Sequence, residues 1–202
     1  MADNTISLYK LRNKINACLL DKFNYVINQT ESFKLANSSN PKYVEPIFSI
    51  QQSSMDQTSF EDATIILISA AGATGKTSLT EHLSNELSIP IFDLSNDPVA
   101  SNSLTGLLYN NMELQDFAQF SMKLKEGKSS MIIDALDEGF LKTTIDGFYS
   151  FLDDVAKMSN GAKGVPFIML GRTNIVELVT LYLESKNVKV VLLQIEPFTV
   201  ES

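Results

Sequence analysis

The sequence predicts an α/β fold: a mainly parallel sheet of five strands, preceded by an N-terminal helical segment. The alternation of two sequence patterns supports this prediction. From residue 64 onward, short apolar runs rich in β-branched residues alternate with segments that have an apolar residue at every third or fourth position. Strands that alternate with helices in this way form a parallel sheet that helices cover on both faces.

The first sixty residues are predicted to form a region of their own. Through the first thirty, apolar residues recur every three or four positions, which predicts one amphipathic helix. These positions are Leu8, Leu11, Ile15, Leu19, Phe23 and Val26. Residues 43–50 are apolar but contain Pro46, which has no N–H to donate, so an edge strand or extended segment is expected. A polar stretch follows, which divides the chain into an N-terminal region of residues 1–60 and a core of residues 61–202.

Five strands and four helices are predicted in the core. The strands are 64–69, 90–94, 129–134, 165–171 and 188–195, and the helices are 76–87, 112–126, 143–158 and 175–185. Most of the strands are continuously apolar, as parallel strands buried on both faces should be. Residues 95–106 are polar and are predicted to form a connection after the second strand.

The strongest functional signal joins the first core strand to the first core helix. Residues 65–78 read IILISAAGATGKTS, the order of strand, small-residue turn and helix that binds phosphate. Small residues let backbone N–H groups point at phosphate oxygens, and the helix N-terminus adds partial positive charge. The lysine supplies a charge for the β- and γ-phosphates, and the threonine hydroxyl suits Mg²⁺. The predicted nucleotide-binding residues are Gly72, Ala73, Thr74, Gly75, Lys76, Thr77 and Ser78.

With this motif, the predicted fold becomes the three-layer sandwich of P-loop NTPases. Ala70 stands where the strict motif has its first glycine. This departure is mild, because only the later glycines must approach the phosphates closely. An ordinary turn between a strand and a helix is the alternative interpretation of a Gly-Lys-Thr sequence.

Acidic residues follow the third core strand, which reads SSMIIDALDEGF. Ligands of open α/β sheets bind beyond the carboxyl ends of the strands, so we expect Asp134 to meet Thr77 there. The two residues would hold Mg²⁺, with Asp134 acting directly or through water. Asp137 or Glu138 is a candidate for orienting or deprotonating the attacking water. The alternative is that these acids only form a turn or cap a helix.

The fourth core strand ends in Gly171-Arg172-Thr173, and Arg172 is one of only two arginines in the chain. A cation at this strand tip would stabilise charge on a transferred phosphoryl group. A helix cap or an ion pair within the chain is the alternative role for this side chain.

Composition narrows the partners and the cofactors. A formal net charge of −8 argues against broad nucleic-acid binding, which depends on clustered lysine and arginine. With one cysteine and one histidine, metal binding is left to carboxylates and hydroxyls, so Mg²⁺ is the expected metal. No apolar run is long enough to span a bilayer and no signal-peptide core begins the chain, which predicts a cytoplasmic protein without membrane contact.

These motifs resemble those of the NACHT group within the STAND signalling ATPases. DALDE at 134–138 resembles their extended Walker B motif, and GATGKTSL resembles their P-loop. LGRTN resembles their sensor 1 strand, and LLQIEPF resembles the segment that leads into their first helical domain. The resemblance spans about residues 43–202 and is weak before the P-loop.

The resemblance implies a nucleotide-operated switch in signalling or defence, in which ATP favours an oligomer and ADP a closed monomer. By position, it implies phosphate and Mg²⁺ binding by Lys76 and Thr77, a metal role for Asp134 and a γ-phosphate role for Arg172. The two acids that end the DALDE motif would support hydrolysis. It also implies ATP and ADP as ligands, self-association of the full-length protein and a trigger that the sequence does not identify.

The chain departs from this family pattern in two respects. Gly171 precedes Arg172, where the family usually has a serine. The family also continues into helical and winged-helix domains, so this chain is expected to be the N-terminal part of a longer protein. Hydrolysis is then expected of the full-length protein.

Three other functions remain as alternatives. A small-molecule or nucleotide kinase on the same fold would grip a phosphorylated acceptor with several arginines, whereas this chain has only Arg12 and Arg172. A GTPase is disfavoured because neither Asp-x-x-Gly nor Asn-Lys-x-Asp follows the P-loop. An interaction module without catalysis is disfavoured by the intact Lys76, Thr77 and Asp134.

Overall fold

The computed structural model describes residues 4–37, 43–51, 58–71 and 75–197, and it confirms the α/β class. Its strands are β1 (Thr5–Ser7), β2 (Phe33–Lys34), β3 (Ile47–Gln51), β4 (Ile65–Ser69), β5 (Ile91–Asp93), β6 (Met131–Asp134), β7 (Phe167–Gly171) and β8 (Val190–Ile195). Its helices are α1 (Leu8–Asn16), α2 (Lys76–Leu87), α3 (Ser103–Asn111), α4 (Leu114–Glu126), α5 (Leu136–Lys142), α6 (Ile145–Ser159) and α7 (Thr173–Ser185). None of the described helices is long and apolar enough to cross a membrane.

The described strands form one mixed sheet in the order β1-β3-β8-β4-β7-β6-β5-β2. Its five central strands are those predicted for the core, and they run parallel to one another. The predicted total of five was wrong, because the N-terminal region adds β1 and β3 beside β8, and β2 beside β5, in antiparallel pairing. These added strands have two to five residues, too few to show a clear period in the sequence.

The predicted helix across the first thirty residues was wrong in length, because α1 has nine residues. Three of the predicted apolar positions form its buried face: Leu8, Leu11 and Ile15. The later positions meet different surroundings. Phe23 packs edge-on against Phe120 of α4, with ring centroids 5.0 Å apart, whereas Val26 is 75% exposed. Their helical spacing therefore does not reflect one continuous face.

Residues 43–50 were predicted to form an edge strand or an extended segment. Strand β3 instead lies inside the sheet, between β1 and β8. Pro46 immediately precedes the strand, so its missing N–H interrupts no bond of the ladder. The boundary near residue 60 stays a prediction, and strands from both sides of it pair in the one sheet.

Helices cover both faces of the sheet, which makes three layers. Alternate residues of a strand point to opposite faces. Ile66 and Ile68 of β4 pack with apolar residues of α1 and α2, whereas Ile65 and Leu67 pack with those of α3 to α7. All four side chains are fully buried. Strand β4 is therefore a fixed support for the loop that follows it.

The predicted core helices are confirmed with small shifts at their ends. Helix α2 has the predicted bounds, α4 and α7 begin two residues from the predicted starts, and α6 is shifted by one or two residues. Two further helices were not predicted. Helix α3 overlaps the stretch 95–106 that was predicted as a connection, and α5 contains the last two acids of the DALDE motif, Asp137 and Glu138. Helix α5 has seven residues, too few for a convincing helical period.

Candidate functional site

The predicted site residues meet at the carboxyl edge of the parallel strands. In the register of the sheet, Ser69 of β4 lies beside Gly171 of β7, and Asp134 of β6 lies beside Asp93 of β5. Helices α2, α5 and α7 begin at the same edge, following β4, β6 and β7. The side chains on these strand ends and helix starts therefore share one surface, as the sequence predicted for Thr77 and Asp134.

The structure describes both flanks of the predicted phosphate loop, while three of its residues lie outside the described part of the chain: Gly72, Ala73 and Thr74. Gly75 ends the loop with φ 81° and ψ 26°, a left-handed conformation that favours glycine. Lys76 begins α2, followed by the exposed Thr77 and the half-buried Ser78. The first N–H groups of a helix lack intrahelical partners, so this turn can bind an anion.

The departure at Ala70 is accommodated by the core. Ala70 is fully buried, and its N–H donates a 3.2 Å hydrogen bond to the carbonyl oxygen of Gly171. Next to it, the hydroxyl groups of Ser69 and Thr173 share a 2.9 Å hydrogen bond. These two contacts connect the end of β4 to the start of α7, so the arginine between β7 and α7 is anchored to the phosphate-loop strand.

Asp137 is the charged centre of the site. Its carboxylate Oδ1 lies 3.4 Å from Lys76 Nζ, and its Oδ2 lies 3.1 Å from Arg172 Nε. Oδ1 also accepts a 3.2 Å hydrogen bond from the Arg172 backbone N–H. The Asp137 side chain is 11% exposed, that of Lys76 21% and that of Arg172 66%. Both cations predicted to bind phosphate thus share one carboxylate, and the ion pair considered as the alternative role for Arg172 is present.

Close packing holds α5 in place. Ala135 turns the chain from β6 into α5 with φ 59° and ψ 42°, a left-handed conformation that is strained for alanine. A Cβ on Gly139 would lie 2.8 Å from Leu94 Cβ, and one on Gly171 would lie 2.9 Å from Leu136 Cβ. Gly171, which departs from the family pattern, therefore allows α5 to pack closely against β7.

A cavity of about 170 Å³ opens between α2 and the ends of β5 and β6. Its lining includes four predicted site residues: Lys76, Thr77, Asp134 and Glu138. Glu138 is exposed, whereas its neighbour Asp137 is buried against the two cations. The two adjacent acids therefore have different surroundings, and Glu138 is the one that faces a space open to water.

Burial raises the pKa of Asp134 above its ordinary value. The Ala135 N–H, which donates a 2.8 Å hydrogen bond to Asp134 Oδ1, lowers this pKa in part, and the nearby Asp93 carboxylate raises it. The Thr80 hydroxyl approaches the carboxyl and also lowers its pKa, but it has no partner in hydrogen-bonding geometry. Asp134 is therefore a carboxyl group whose charge is poorly compensated by the protein alone.

The oxygen atoms around Asp134 suit Mg²⁺. The cavity lining offers the carboxylates of Asp134 and Asp93 and the hydroxyls of Thr77 and Thr80, one of them buried without a partner. Among the described residues, no group of three or more His, Cys, Asp or Glu side chains forms a complete metal site. Mg²⁺ that arrives with phosphates needs only one or two protein carboxylates and keeps several waters. The residues present therefore fit Mg²⁺ that is held by one or two carboxylates and keeps several waters.

Several cavity residues were not among the predicted site residues, including Lys34, Thr80, Glu81 and Asp93. Asp93 lies within the second predicted strand and ends β5, so the pairing of parallel strands was a usable signal for its place beside Asp134. Lys34 lies on a two-residue strand far upstream of the phosphate loop, and no sequence motif marks it. No family model matches this chain, and no curated protein matches it at a significant level.

Proposed function

We propose that this chain is the nucleotide-binding core of a NACHT-type STAND signalling or defence ATPase. The observation that supports this most strongly is the convergence of Lys76 and Arg172 on Asp137, next to the Asp134 carboxyl on the neighbouring strand. A lysine at a helix start, an acid for the metal and a strand-tip arginine are the groups that phosphoryl transfer requires. The P-loop NTPase fold is part of the same proposal.

Each group has a place in this function. Lys76 and the first N–H groups of α2 bind the β- and γ-phosphates, and Thr77 and Asp134 hold Mg²⁺. Mg²⁺ held there would supply positive charge that offsets charge on the phosphates. Glu138 orients the attacking water because it is exposed at the cavity, and Arg172 contacts the γ-phosphate.

Asp137 competes with the proposed ligand for the same cations. Its carboxylate contacts Lys76 and Arg172, the two side chains proposed to bind the phosphates. A phosphate therefore competes with Asp137 for both cations, and α5 and α7, which supply the acid and the arginine, respond to the nucleotide. A ligand shifts an equilibrium only by its different affinity for the two states. This response would favour self-association with ATP.

The kinase alternative has weaker support. Arg12 of α1 forms ion pairs with Glu45 of the N-terminal region at 3.3 Å and with Glu86 of α2 at 3.4 Å. This arginine therefore already has acidic partners within the chain. Arg172 is then the arginine at the site, and it is itself paired with Asp137 at 3.1 Å, so a phosphorylated acceptor would have a single arginine to contact. A kinase would transfer phosphate to a small molecule, and product analysis distinguishes this from release of inorganic phosphate.

Thermal unfolding with MgATP tests nucleotide binding. We expect MgATP to raise the melting temperature of the wild type, because a ligand of the folded state stabilises it. Lys76→Ala should abolish this shift, and EDTA should reduce it in the wild type. Lys22→Ala removes the same charge from an exposed position and should keep the shift. Equal shifts in the Lys76 variant and the wild type would contradict the phosphate-loop assignment.

Hydrolysis is tested separately from nucleotide binding. Glu138→Gln should slow release of inorganic phosphate by about a hundredfold while MgATP still raises the melting temperature. Unchanged turnover in this variant would remove Glu138 from the proposed chemistry. The oligomer that ATP favours is measured by light scattering with ATP and with ADP.

A further inference from the structure

We propose that Lys34 is a second phosphate-binding lysine that recognises the terminal phosphate of MgATP and so distinguishes ATP from ADP. This inference rests on the proposed function. Lys34 lies on β2, outside every motif of the sequence, yet its side chain lines the same cavity as Lys76, Thr77, Asp134 and Glu138.

The sheet directs the Lys34 side chain toward the site. In the pairing of β2 with β5, Phe33 lies opposite Phe92 and Lys34 lies opposite Ile91. Phe33 is fully buried in the core on the α3 to α7 side, and Ile91 belongs to the core on the α2 side. Because adjacent residues of a strand point to opposite faces, Lys34 points to the α2 side, where the cavity opens.

Hydrogen bonds on both sides of Lys34 fix its backbone. The Thr30 N–H donates a hydrogen bond to the carbonyl oxygen of Phe33 at 2.8 Å, and the Phe33 N–H donates one to Thr30 Oγ1 at 3.0 Å. The carbonyl oxygen of Ser32 accepts from the Asp93 N–H at 2.9 Å. Beyond the strand, the Ala36 N–H donates to Ser84 Oγ of α2 at 3.1 Å. Lys34 is thus placed by the sheet on one side and by α2 on the other.

The charges of the cavity leave Lys34 available for an anion. Within the described residues Lys34 forms no ion pair, whereas Lys76 is paired with Asp137. Among the described residues, four carboxylates and two lysines line the cavity: Glu81, Asp93, Asp134 and Glu138 with Lys34 and Lys76. A divalent cation would offset two of the four negative charges, and the two lysines are the cationic side chains of this lining that a phosphate can contact.

The position of Lys34 favours the terminal phosphate. The phosphate loop follows β4, and the strand order from there is β7, β6, β5 and β2, so Lys34 lies on the far side of the metal-linked acid. In the proposed function Lys76 binds the β- and γ-phosphates, so a second lysine across the same cavity meets the group at the end of that chain. The cavity of about 170 Å³ is also smaller than the roughly 300–1,000 Å³ typical of sites for whole organic ligands, which fits a phosphate and its metal.

The test compares MgATP with MgADP by isothermal titration calorimetry. Lys34→Met should weaken MgATP binding about tenfold, since a charge-assisted hydrogen bond is lost, and should leave MgADP binding within about twofold. Lys34→Arg keeps the charge and should restore most of the MgATP affinity. Lys22→Met makes the same change in net charge at an exposed position and should alter neither affinity.

The other outcomes separate the two proposals. If Lys34→Met weakens MgATP and MgADP equally, or weakens neither, while Lys76→Ala abolishes both, the proposed function stands and the role of Lys34 is wrong. If the wild type binds neither nucleotide, the proposed function fails and this inference fails with it. Circular dichroism confirms that each variant is folded, and Lys34→Gln replaces the methionine variant if that one is not.

Discussion

Asp137→Asn is the perturbation that best examines the charged centre of the site. The substitution removes the negative charge that Lys76 and Arg172 share, while the amide oxygen can still accept a hydrogen bond from the Arg172 backbone N–H. Side-chain volume and packing of α5 are almost unchanged. The variant therefore isolates the electrostatic part of the contact.

The expected loss of stability follows from the exposure of each partner. Hydrogen bonds to charged groups contribute about 1.5–3 kcal/mol. The Arg172 side chain is 66% exposed and regains water when it is released, so its share is close to that of a surface ion pair, about 0–1 kcal/mol. Lys76 is 21% exposed and loses more. We expect the free energy of unfolding to fall by about 1–2 kcal/mol, which lowers the melting temperature by roughly 2–8 °C.

The same variant should bind MgATP more tightly than the wild type. Lys76 no longer has to leave a carboxylate before it contacts phosphate, and the gain is up to about tenfold in affinity. Calorimetry measures the affinity, and thermal unfolding without ligand measures the stability. Asp21→Asn removes an exposed partner of Lys123, an ion pair at 3.3 Å, and should change stability by less than about 0.5 kcal/mol. This reasoning would be refuted if Asp137→Asn melted at the wild-type temperature and bound MgATP no more tightly than the wild type.

Two further predictions concern the supports of the site. Burial raises the pKa of Asp134 in the folded protein above the ordinary carboxyl value of the unfolded chain. As the pH rises from the ordinary value through the raised one, the unfolded chain loses this proton more readily, so the folded state loses stability. Asp134→Asn should therefore have a higher melting temperature than the wild type at neutral pH, and this difference should disappear in acid. The variant should also lose the Mg²⁺ dependence of nucleotide binding. An equal difference in melting temperature at all pH values would contradict this cause. Gly171→Ala would place a Cβ 2.9 Å from Leu136 Cβ and should cost about 1–3 kcal/mol in urea unfolding. Gly106→Ala lies on α3, where an added Cβ meets nothing within 4 Å, and should instead stabilise the folded protein by about 0.5–1 kcal/mol. Equal effects of the two alanine substitutions on stability would contradict the packing argument.

The core was predictable because each of its signals is local. The strand before the phosphate loop is continuously apolar, and Gly75 and Lys76 mark the start of α2 at the residue where the structure begins it. The meeting of Lys76 with the acids after β6 followed from the rule that parallel strands end at one edge. The N-terminal strands could not be predicted in this way, because pairing with β5 and β8, and not their own two to five residues, determines them.

Within the site, the sequence left two questions that only the tertiary structure answers. Asp137 and Glu138 are adjacent and equally acidic, but on a helix they point in different directions, so one is buried against cations and the other is exposed. Lys34 reaches the cavity through an antiparallel pairing with β5, a contact between distant parts of the chain. Spacing along the sequence contains no information about either arrangement.

The antiparallel strands of the N-terminal region also protect the parallel sheet from association with other chains. Strand β3 covers the backbone of β8, whose sequence VVLLQI is largely apolar, and β2 covers β5 at the opposite side. A fragment that began at residue 61 would present the N–H and C=O groups of both strands to solvent, and such apolar edges recruit further strands. Removing the first sixty residues would therefore replace the short edge strands β1 and β2 with the apolar edges of β8 and β5, and aggregation would be the expected result.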